Sequence, residues 1–485
     1  MKEKITRRRF ISLLAAGATA TSLSGCSQAI SSIFGTERSQ MDKPNFIIIF
    51  CDDLGYGDLG CFGSEVHRTP NLDRMAAEGT KFTSFYVTSS VCTPSRASLM
   101  TGCYPKRVDM HRSSRGKCVL FPLANKGLNP NEITIAEILK QQGYATCCIG
   151  KWHLGDQPTF LPTRQGFDYY FGIPYSNDMG KKQRRSNPPL PLLRNEKVIE
   201  APAVQDTLTK RYTEEAIRFI TKNKDRPFFI YLPHTMVHDP LHAGKEFRGK
   251  SANGPYGDAV EEIDSYTGQI LKTLKDLKLD KDTLVVFTSD NGASDRYGGS
   301  NAPLRGHKGT TWEGGMHAPA ICWWPGHIPA GKTSDQIALT MDLLPTIALL
   351  AGTRPPADRI IDGKNIWPLM AGKPNAKSPH RAFYYYQIDQ LQAVRSGKWK
   401  LHLPLKPKKR NWGKPIPEAP LALYNLENDI AEKNDVAEHH PNVVKCLLAL
   451  AEEARCDLGD IDRKGTNLRP AGWVENPVPL LLTPK

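Results

Sequence analysis

What most limits the fold of this chain is a short, unbroken apolar run, Asn45-Phe46-Ile47-Ile48-Ile49-Phe50, followed closely by two adjacent acids, Asp52 and Asp53. A strand without polar alternation has both faces covered, so it belongs in a sheet layered with helices on each side. Runs of the same kind occur at Ala145 to Ile149, Phe228 to Leu232 and Thr283 to Thr288, the last leading into Asp290-Asn291. Helical segments lie between them: one capped by Thr69 and running through Glu78, then Glu132 to Gln142, Tyr212 to Lys222 and Asp258 to Leu277. Strands alternating with helices predict an α/β domain over residues 43–375. In such sheets ligand groups gather at the carboxyl ends of strands, where both of these polar pairs sit.

Residues 180–205 are polar and Pro-rich and read as an inserted surface loop. From about residue 376 the pattern changes. Short strand-like segments at Phe383 to Gln387, Leu391 to Arg395, Trp399 to His402 and Leu421 to Asn425 precede a helix from His439 to Ala454. They predict a small α+β domain over residues 376–485. A length of 485 residues, with 40% hydrophobic and 24% charged residues, fits a two-domain globular enzyme.

The first 42 residues read as targeting sequence. Thr6-Arg7-Arg8-Arg9-Phe10-Ile11 is similar to a twin-arginine export signal, an apolar stretch continues to Leu23, and Leu23-Ser24-Gly25-Cys26 has the form of a bacterial lipobox. On this reading residues 1–26 are an export signal, Cys26 is lipidated, and residues 27–42 are a tether. The protein would then be exported from a bacterial cytoplasm and held by its lipid in the periplasm or at the cell envelope. The formal net charge is +14, and residues 1–25 carry five basic residues and one acid, which leaves about +10 for the rest. Excess positive charge favours polyanionic partners. Nucleic acid is one candidate, but no nucleic-acid-binding motif accompanies the charge, and sulfated polysaccharide is another. Of eleven cysteines, nine remain once Cys26 and Cys92 are set aside, so at least one is unpaired or intermolecular if the others pair. Adjacent Cys147 and Cys148 point to opposite faces of a strand and do not pair with each other.

Adjacent acids after an apolar strand are costly unless paired or bound to a cation. Carboxylate and amide oxygens suit a hard divalent ion, although Asp and Asn also serve as cap and turn residues. The deciding segment is Cys92-Thr93-Pro94-Ser95-Arg96-Ala97-Ser98-Leu99-Met100-Thr101-Gly102. It resembles the activation signature of the type I sulfatases, C-[ST]-P-S-R-x-x-x-x-T-G. Other matching segments are Gly150-Lys151-Trp152-His153-Leu154-Gly155, His238-Asp239-Pro240, Ser289-Asp290-Asn291-Gly292 and Lys308-Gly309-Thr310-Thr311-Trp312-Glu313-Gly314-Gly315. The resemblance to this formylglycine-dependent sulfatase family covers nearly all of the chain beyond residue 42. It runs to the arylsulfatase A and N-acetylgalactosamine-6-sulfatase branch through Phe171-Gly172-Ile173-Pro174-Tyr175-Ser176-Asn177-Asp178 and Trp323-Trp324-Pro325-Gly326-His327.

The resemblance implies a large mixed central sheet flanked by helices, the alkaline phosphatase-like sulfatase fold, with a smaller C-terminal domain built on an antiparallel sheet. It implies that a formylglycine-generating maturation enzyme oxidises Cys92 to an aldehyde. Once hydrated, the aldehyde attacks sulfur with one hydroxyl and expels sulfate through the other. It implies Ca²⁺, in preference to Mg²⁺, held by Asp52, Asp53, Asp290, Asn291 and the modified Cys92. Arg96, four residues after Cys92, would stabilise the diol. Lys151, Ser176, His238 and Lys308 would grip sulfate oxygens. His153 would take a proton during elimination, and His238 would protonate the leaving alcohol, a role Lys308 could share. His238 is preferred to His234 because it carries the H-x-P pattern. The chain departs from the branch at His317, where relatives have Arg, and that position is expected to shape its loop or the substrate rim.

The implied activity is hydrolysis of sulfate monoesters on a sulfated carbohydrate. A phosphatase or phosphodiesterase of the alkaline phosphatase superfamily would instead use Thr or Ser as nucleophile, often with two metals. A catalytically silent glycan-binding protein would have no use for a nucleophile, an acid and a base together.

Overall fold

The structure, a computed structural model, describes residues 43–181, 187–405 and 418–482. The export signal, the lipobox cysteine and the tether lie outside the described residues.

The central sheet has ten strands: β1 (Asn45–Cys51), β2 (Thr80–Phe82), β3 (Ala145–Ile149), β4 (Tyr169–Gly172), β5 (Leu192–Arg194), β6 (Lys197–Glu200), β7 (Phe228–Pro233), β8 (Thr283–Ser289), β9 (Ala320–Trp323) and β10 (Lys332–Ser334). Their order is β10-β2-β9-β8-β1-β7-β3-β4-β5-β6. Strands β8, β1, β7, β3 and β4 run parallel, with antiparallel β9 and β5 on either side, so the sheet is mixed. Helices α1 (Pro70–Ala77), α4 (Leu208–Lys222) and α5 (Gly254–Asp276) cover one face; α2 (Cys92–Thr101), α3 (Ile135–Gln141) and α6 (Leu343–Leu350) cover the other.

The apolar run explains this layering. Phe46, Ile48 and Phe50 enter the core under α2, α3 and α6, while Ile47 and Ile49 enter the core under α1, α4 and α5. All five are at most 1% exposed. Their burial contributes on the order of 10 kcal/mol at roughly 2 kcal/mol per large side chain, opposed by the entropy of ordering them. Cys147 and Cys148 fall in opposite cores, as strand alternation requires, and the ten described cysteines are all free thiols.

Two expectations need correction. The helix expected from Glu132 begins at Ile135, because Thr134 caps it: Thr134 Oγ1 accepts from Glu137 N (3.2 Å) and Glu137 Oε2 accepts from Thr134 N (2.7 Å). The segment 180–205 is not simply a surface loop. Within it β5 and β6 form a hairpin that extends the sheet edge and buries Leu190, Leu192, Leu193 and Val198. Pro188, Pro189 and Pro191 break up this short apolar stretch and mask the strand signal.

The C-terminal region forms a separate antiparallel sheet of β11 (Phe383–Gln387), β12 (Gln390–Ser396), β13 (Trp399–His402) and β14 (Ala422–Asn425), paired in that order. Helix α7 (Pro441–Leu458) packs on it through Leu447, Leu450, Ala451 and Ala454.

Candidate active site

Five parallel strands deliver polar groups to one end of the sheet. Asp52 and Asp53 leave β1, and Asp290 and Asn291 leave β8; the pairing of Cys51 with Ser289 sets the two pairs side by side. Asp53 N donates to Asp290 Oδ1 (3.2 Å). Lys151 and His153 follow β3, Ser176 follows β4, and His234 and His238 follow β7. The ends of β3, β4 and β7 are pinched together at two glycines. A Cβ on Gly150, whose φ is +133°, would lie 1.8 Å from Pro233 O, and one on Gly172 would lie 1.8 Å from Gly150 O. This close approach draws Lys151 under Ser176, and Lys151 Nζ donates to Ser176 Oγ (3.0 Å) as well as to Asp52 Oδ2.

Cys92 is the first residue of α2, preceded by an extended Val91. One turn later the fully buried Arg96 ties the two strand ends together. Its Nε and Nη2 donate to Asp290 Oδ2 (3.1 and 2.8 Å), its Nη1 donates to Lys151 O (2.8 Å), and Nη2 stands 3.6 Å from Asp52 Oδ2. Lys308 arrives from the loop after β8, with Nζ donating to Asp53 Oδ2 (2.6 Å). That loop is anchored at both ends of the motif: Lys308 N donates to Ala293 O (2.9 Å), and Glu313 accepts from Tyr385 Oη and Lys400 Nζ of the C-terminal sheet (both 2.9 Å).

The donor set fits a hard cation. Ligand atoms of Asp52, Cys92 and Asp290 all lie within 4.8 Å of one another. Asp52 Oδ1 and Asn291 Oδ1 are buried and have no hydrogen-bond partner among the described residues. Asn291 spends its amide on Asp53 Oδ1 (2.7 Å), which leaves its carbonyl oxygen as the spare ligand. Burial and then the neighbouring Asp52 push the Asp290 carboxyl up to about 7, outweighing the Arg96 guanidinium bonded to it. Burial works the same way on Asp52, but Lys151 and then Arg96 overcome it and hold that carboxyl far below the usual range.

The two candidate acid–base histidines are also firmly placed. His153 Nε2 donates to Leu120 O (3.0 Å), because a carbonyl can only accept; Nδ1 is left without a partner among the described residues. Burial, reinforced by Lys151, holds this imidazole well below its ordinary pKa, so at neutral pH it is an uncharged base. Burial pushes the Cys92 thiol up to about 12, so an unmodified Cys92 would carry almost no thiolate. His238 Nδ1 donates to Asp239 O (2.5 Å), and Nε2 lies 3.8 Å from Asp53 Oδ2.

A cavity of about 280 Å³ opens over this cluster, with Cys92, Asp53, His153, Ser176, His238 and Lys308 in its wall. Asp52, Asp290, Asn291, Arg96 and Lys151 lie behind that wall, each fully buried. His234 is also buried and lies outside the wall. His317 is not on a substrate rim. It is 1% exposed and packs between Tyr56 and Tyr86, with ring centroids 4.8 and 4.5 Å away. Sequence reasoning missed Thr93, whose Oγ1 donates to His153 O (3.1 Å) and accepts from Leu120 N (3.2 Å), and so fixes the backbone at His153. It also missed Lys117, Phe121, Arg296 and Tyr297 of the cavity wall, which sit on loops without periodicity.

Residues 44–353 match the family model described as sulfatase, and residues 378–476 match that of the C-terminal region of aryl-sulfatase. The chain is 43% identical over 376 residues to N-acetylgalactosamine-6-sulfatase of Canis lupus familiaris, covering 74% of this chain and 71% of that protein. It is 42% identical over 386 residues to arylsulfatase A of Homo sapiens, covering 74% of each. Ps i-CgsB, solved in complex with k-i-k-neocarrahexaose, has a TM-score of 0.72 at 32% identity over 85% of this chain and 92% of that one. Because the first match spans the entire layered sheet and the loops that build the site, this chain belongs to the sulfatase family and is a sulfuric ester hydrolase.

Proposed function

We propose that this chain removes sulfate from a sulfated carbohydrate outside the bacterial cytoplasm, using Ca²⁺ and a formylglycine made from Cys92. The observation that carries the site assignment is the buried Asp52, Cys92 and Asp290 cluster beneath the cavity, with two unpartnered oxygens beside it. Once formed and hydrated, the formylglycine would supply one hydroxyl to attack sulfur and another to expel sulfate, and Ca²⁺ would supply a positive centre for the sulfate oxygens. Asp52, Asp53, Asp290 and Asn291 would hold the ion together with the modified residue 92. Arg96 keeps Asp52 and Asp290 in register. Ser176, Lys308 and His238 face the sulfate, and Lys151 adds its charge from directly behind Ser176. Nδ1 of His153 accepts the proton released at position 92, while Nε2 of His238 carries one to the departing alcohol, with Lys308 beside it.

Carbohydrate as substrate is supported by the sugar-directed relatives and by the basic balance of the chain beyond residue 25. Export and a lipid on Cys26 are supported by the arginine cluster and lipobox, and a formylglycine-generating partner by the Cys92 motif. The test is mass spectrometry of the Cys92 peptide from protein made with that partner, paired with sulfate release from N-acetylgalactosamine 6-sulfate and sulfated galactose. Conversion of thiol to aldehyde, with turnover abolished in Cys92→Ala, is expected. Full turnover by protein whose Cys92 remains a thiol would refute the mechanism.

A further inference from the structure

A second groove meets the catalytic cavity, and we propose that it binds the next sugar of a polyanionic chain through an anionic group on that sugar. The proposal rests on the carbohydrate reading above and names its substrate class: an oligosaccharide with a sulfate or carboxylate on the unit beside the one being desulfated. The groove, also about 280 Å³, is lined by Ser114, Arg115, Lys117, Phe121 and Asn125 of one loop with their neighbours, and by Asn187 from a separate segment. Lys117 and Phe121 belong to both walls, so the groove borders the cavity directly.

The charges around the reaction centre are unevenly placed. On the cavity rim outside the groove, Asp178 and Asp239 accompany Arg296, which has Asp295 4.0 Å away. Among the described residues no acidic side chain lines the groove, and no carboxylate forms an ion pair with Arg115 or Lys117. An anionic substrate chain leaving the cavity is therefore drawn toward the groove side. Phe121, Pro122 and Leu123 offer an apolar wall for a sugar ring, and Ser114 and Asn125 offer polar edges for its hydroxyls.

The groove is held in register with the chemistry. Ser113 N donates to Lys117 O (2.8 Å), and Lys117 N donates to Ser113 Oγ (3.0 Å), closing a tight turn with Gly116 at φ +68°. Arg115 stands exposed on that turn. Three residues past Lys117 the same loop is bonded to His153 and Thr93 through the carbonyl and amide of Leu120.

The test uses the matured full chain and its Arg115→Glu and Arg115→Lys variants. The probes are 4-nitrophenyl sulfate, N-acetylgalactosamine 6-sulfate, and tetrasaccharides of two kinds, one alternating that sugar with a uronate and one of sulfated galactose. Arg115 lies outside the cavity wall, so Arg115→Glu should leave kcat/KM for the aryl sulfate within about twofold while lowering it about tenfold on a tetrasaccharide, chiefly through KM. The loss should shrink as salt is raised, and Arg115→Lys should retain most of the wild-type value. Tetrasaccharide turnover unchanged in Arg115→Glu, or an equal fall on all probes, would overturn the groove assignment alone. Wild-type turnover of the aryl sulfate with none of any sulfated sugar would overturn the carbohydrate reading, and this proposal with it.

Discussion

Replacing Lys151 with Met tests whether a charge that never reaches the cavity surface still governs the reaction. The side chain is fully buried and its ammonium bonds Asp52 Oδ2 and Ser176 Oγ. Met fills a similar volume and removes only the charge and the donors. Two consequences follow. Asp52 keeps Arg96 Nη2 at 3.6 Å, an attraction of about 4–5 kcal/mol at an effective dielectric of about 20, but loses its nearest cation. Stripping one partner from a buried ion pair costs about 3–5 kcal/mol of stability. Bound Ca²⁺ would offset part of that, so the fall in Tm should be larger in chelator than in excess Ca²⁺. Ser176 also loses the donor that orients its hydroxyl, and the transferring sulfate loses a fixed positive charge one layer away. Loss of one such preorganised group costs about 2.7–4 kcal/mol in the barrier, or about 10²–10³ in kcat. The assay is steady-state hydrolysis of 4-nitrophenyl sulfate in saturating Ca²⁺, at a temperature where circular dichroism shows the variant folded. A folded Lys151→Met enzyme with kcat within a few fold of wild type would refute the reasoning.

Chelation should lower the Tm of the matured protein and Ca²⁺ should restore it more fully than Mg²⁺, because clustered Asp52 and Asp290 lose their compensating charge; a Tm indifferent to chelator by thermal denaturation would argue against an ion at that cluster. His153→Ala should release about one equivalent of alcohol and then stall, with steady turnover reduced by about 10²–10⁴; rapid-quench kinetics showing no burst would place the base elsewhere. Glu262 offers a check far from the chemistry. Burial raises its carboxyl from 4.5 to about 7, and its Oε1 lacks a partner among the described residues. The folded state thus favours the protonated form, a contribution present in full below pH 4.5 and lost as pH rises through 7. Glu262→Gln mimics that form, so it should be more stable than wild type by up to about 3 kcal/mol at pH 8 and about equal at pH 4.5. Urea unfolding at both pH values distinguishes this from a variant that is uniformly better or worse.

Much of the site is legible in sequence because its parts are local. Asp52-Asp53 and Asp290-Asn291 announce themselves by following runs too apolar to tolerate unpaired acids, and Cys92 to Gly102 is one contiguous segment. The wall of the cavity is different. Lys117, Phe121 and Tyr297 lie on loops whose course depends on what they bond to, such as the Leu120 carbonyl against His153. His317 is expected from sequence to shape its loop or the substrate rim; the rim alternative fails because packing places it between two aromatic rings, which no local pattern announces. The Glu313 anchor unites the Lys308 loop with Tyr385 and Lys400, segments about 70 to 90 residues further along the chain, and no local pattern links them.

Every residue of α2, from Cys92 through Thr101, is buried. An enzyme that must grasp this segment to oxidise Cys92 cannot do so once the helix is seated beneath the sheet. If Cys92 is matured as proposed, its modification would fall between synthesis and folding. On that proposal the active fraction of a preparation would follow the ratio of two rates, oxidation against folding, set once for each molecule.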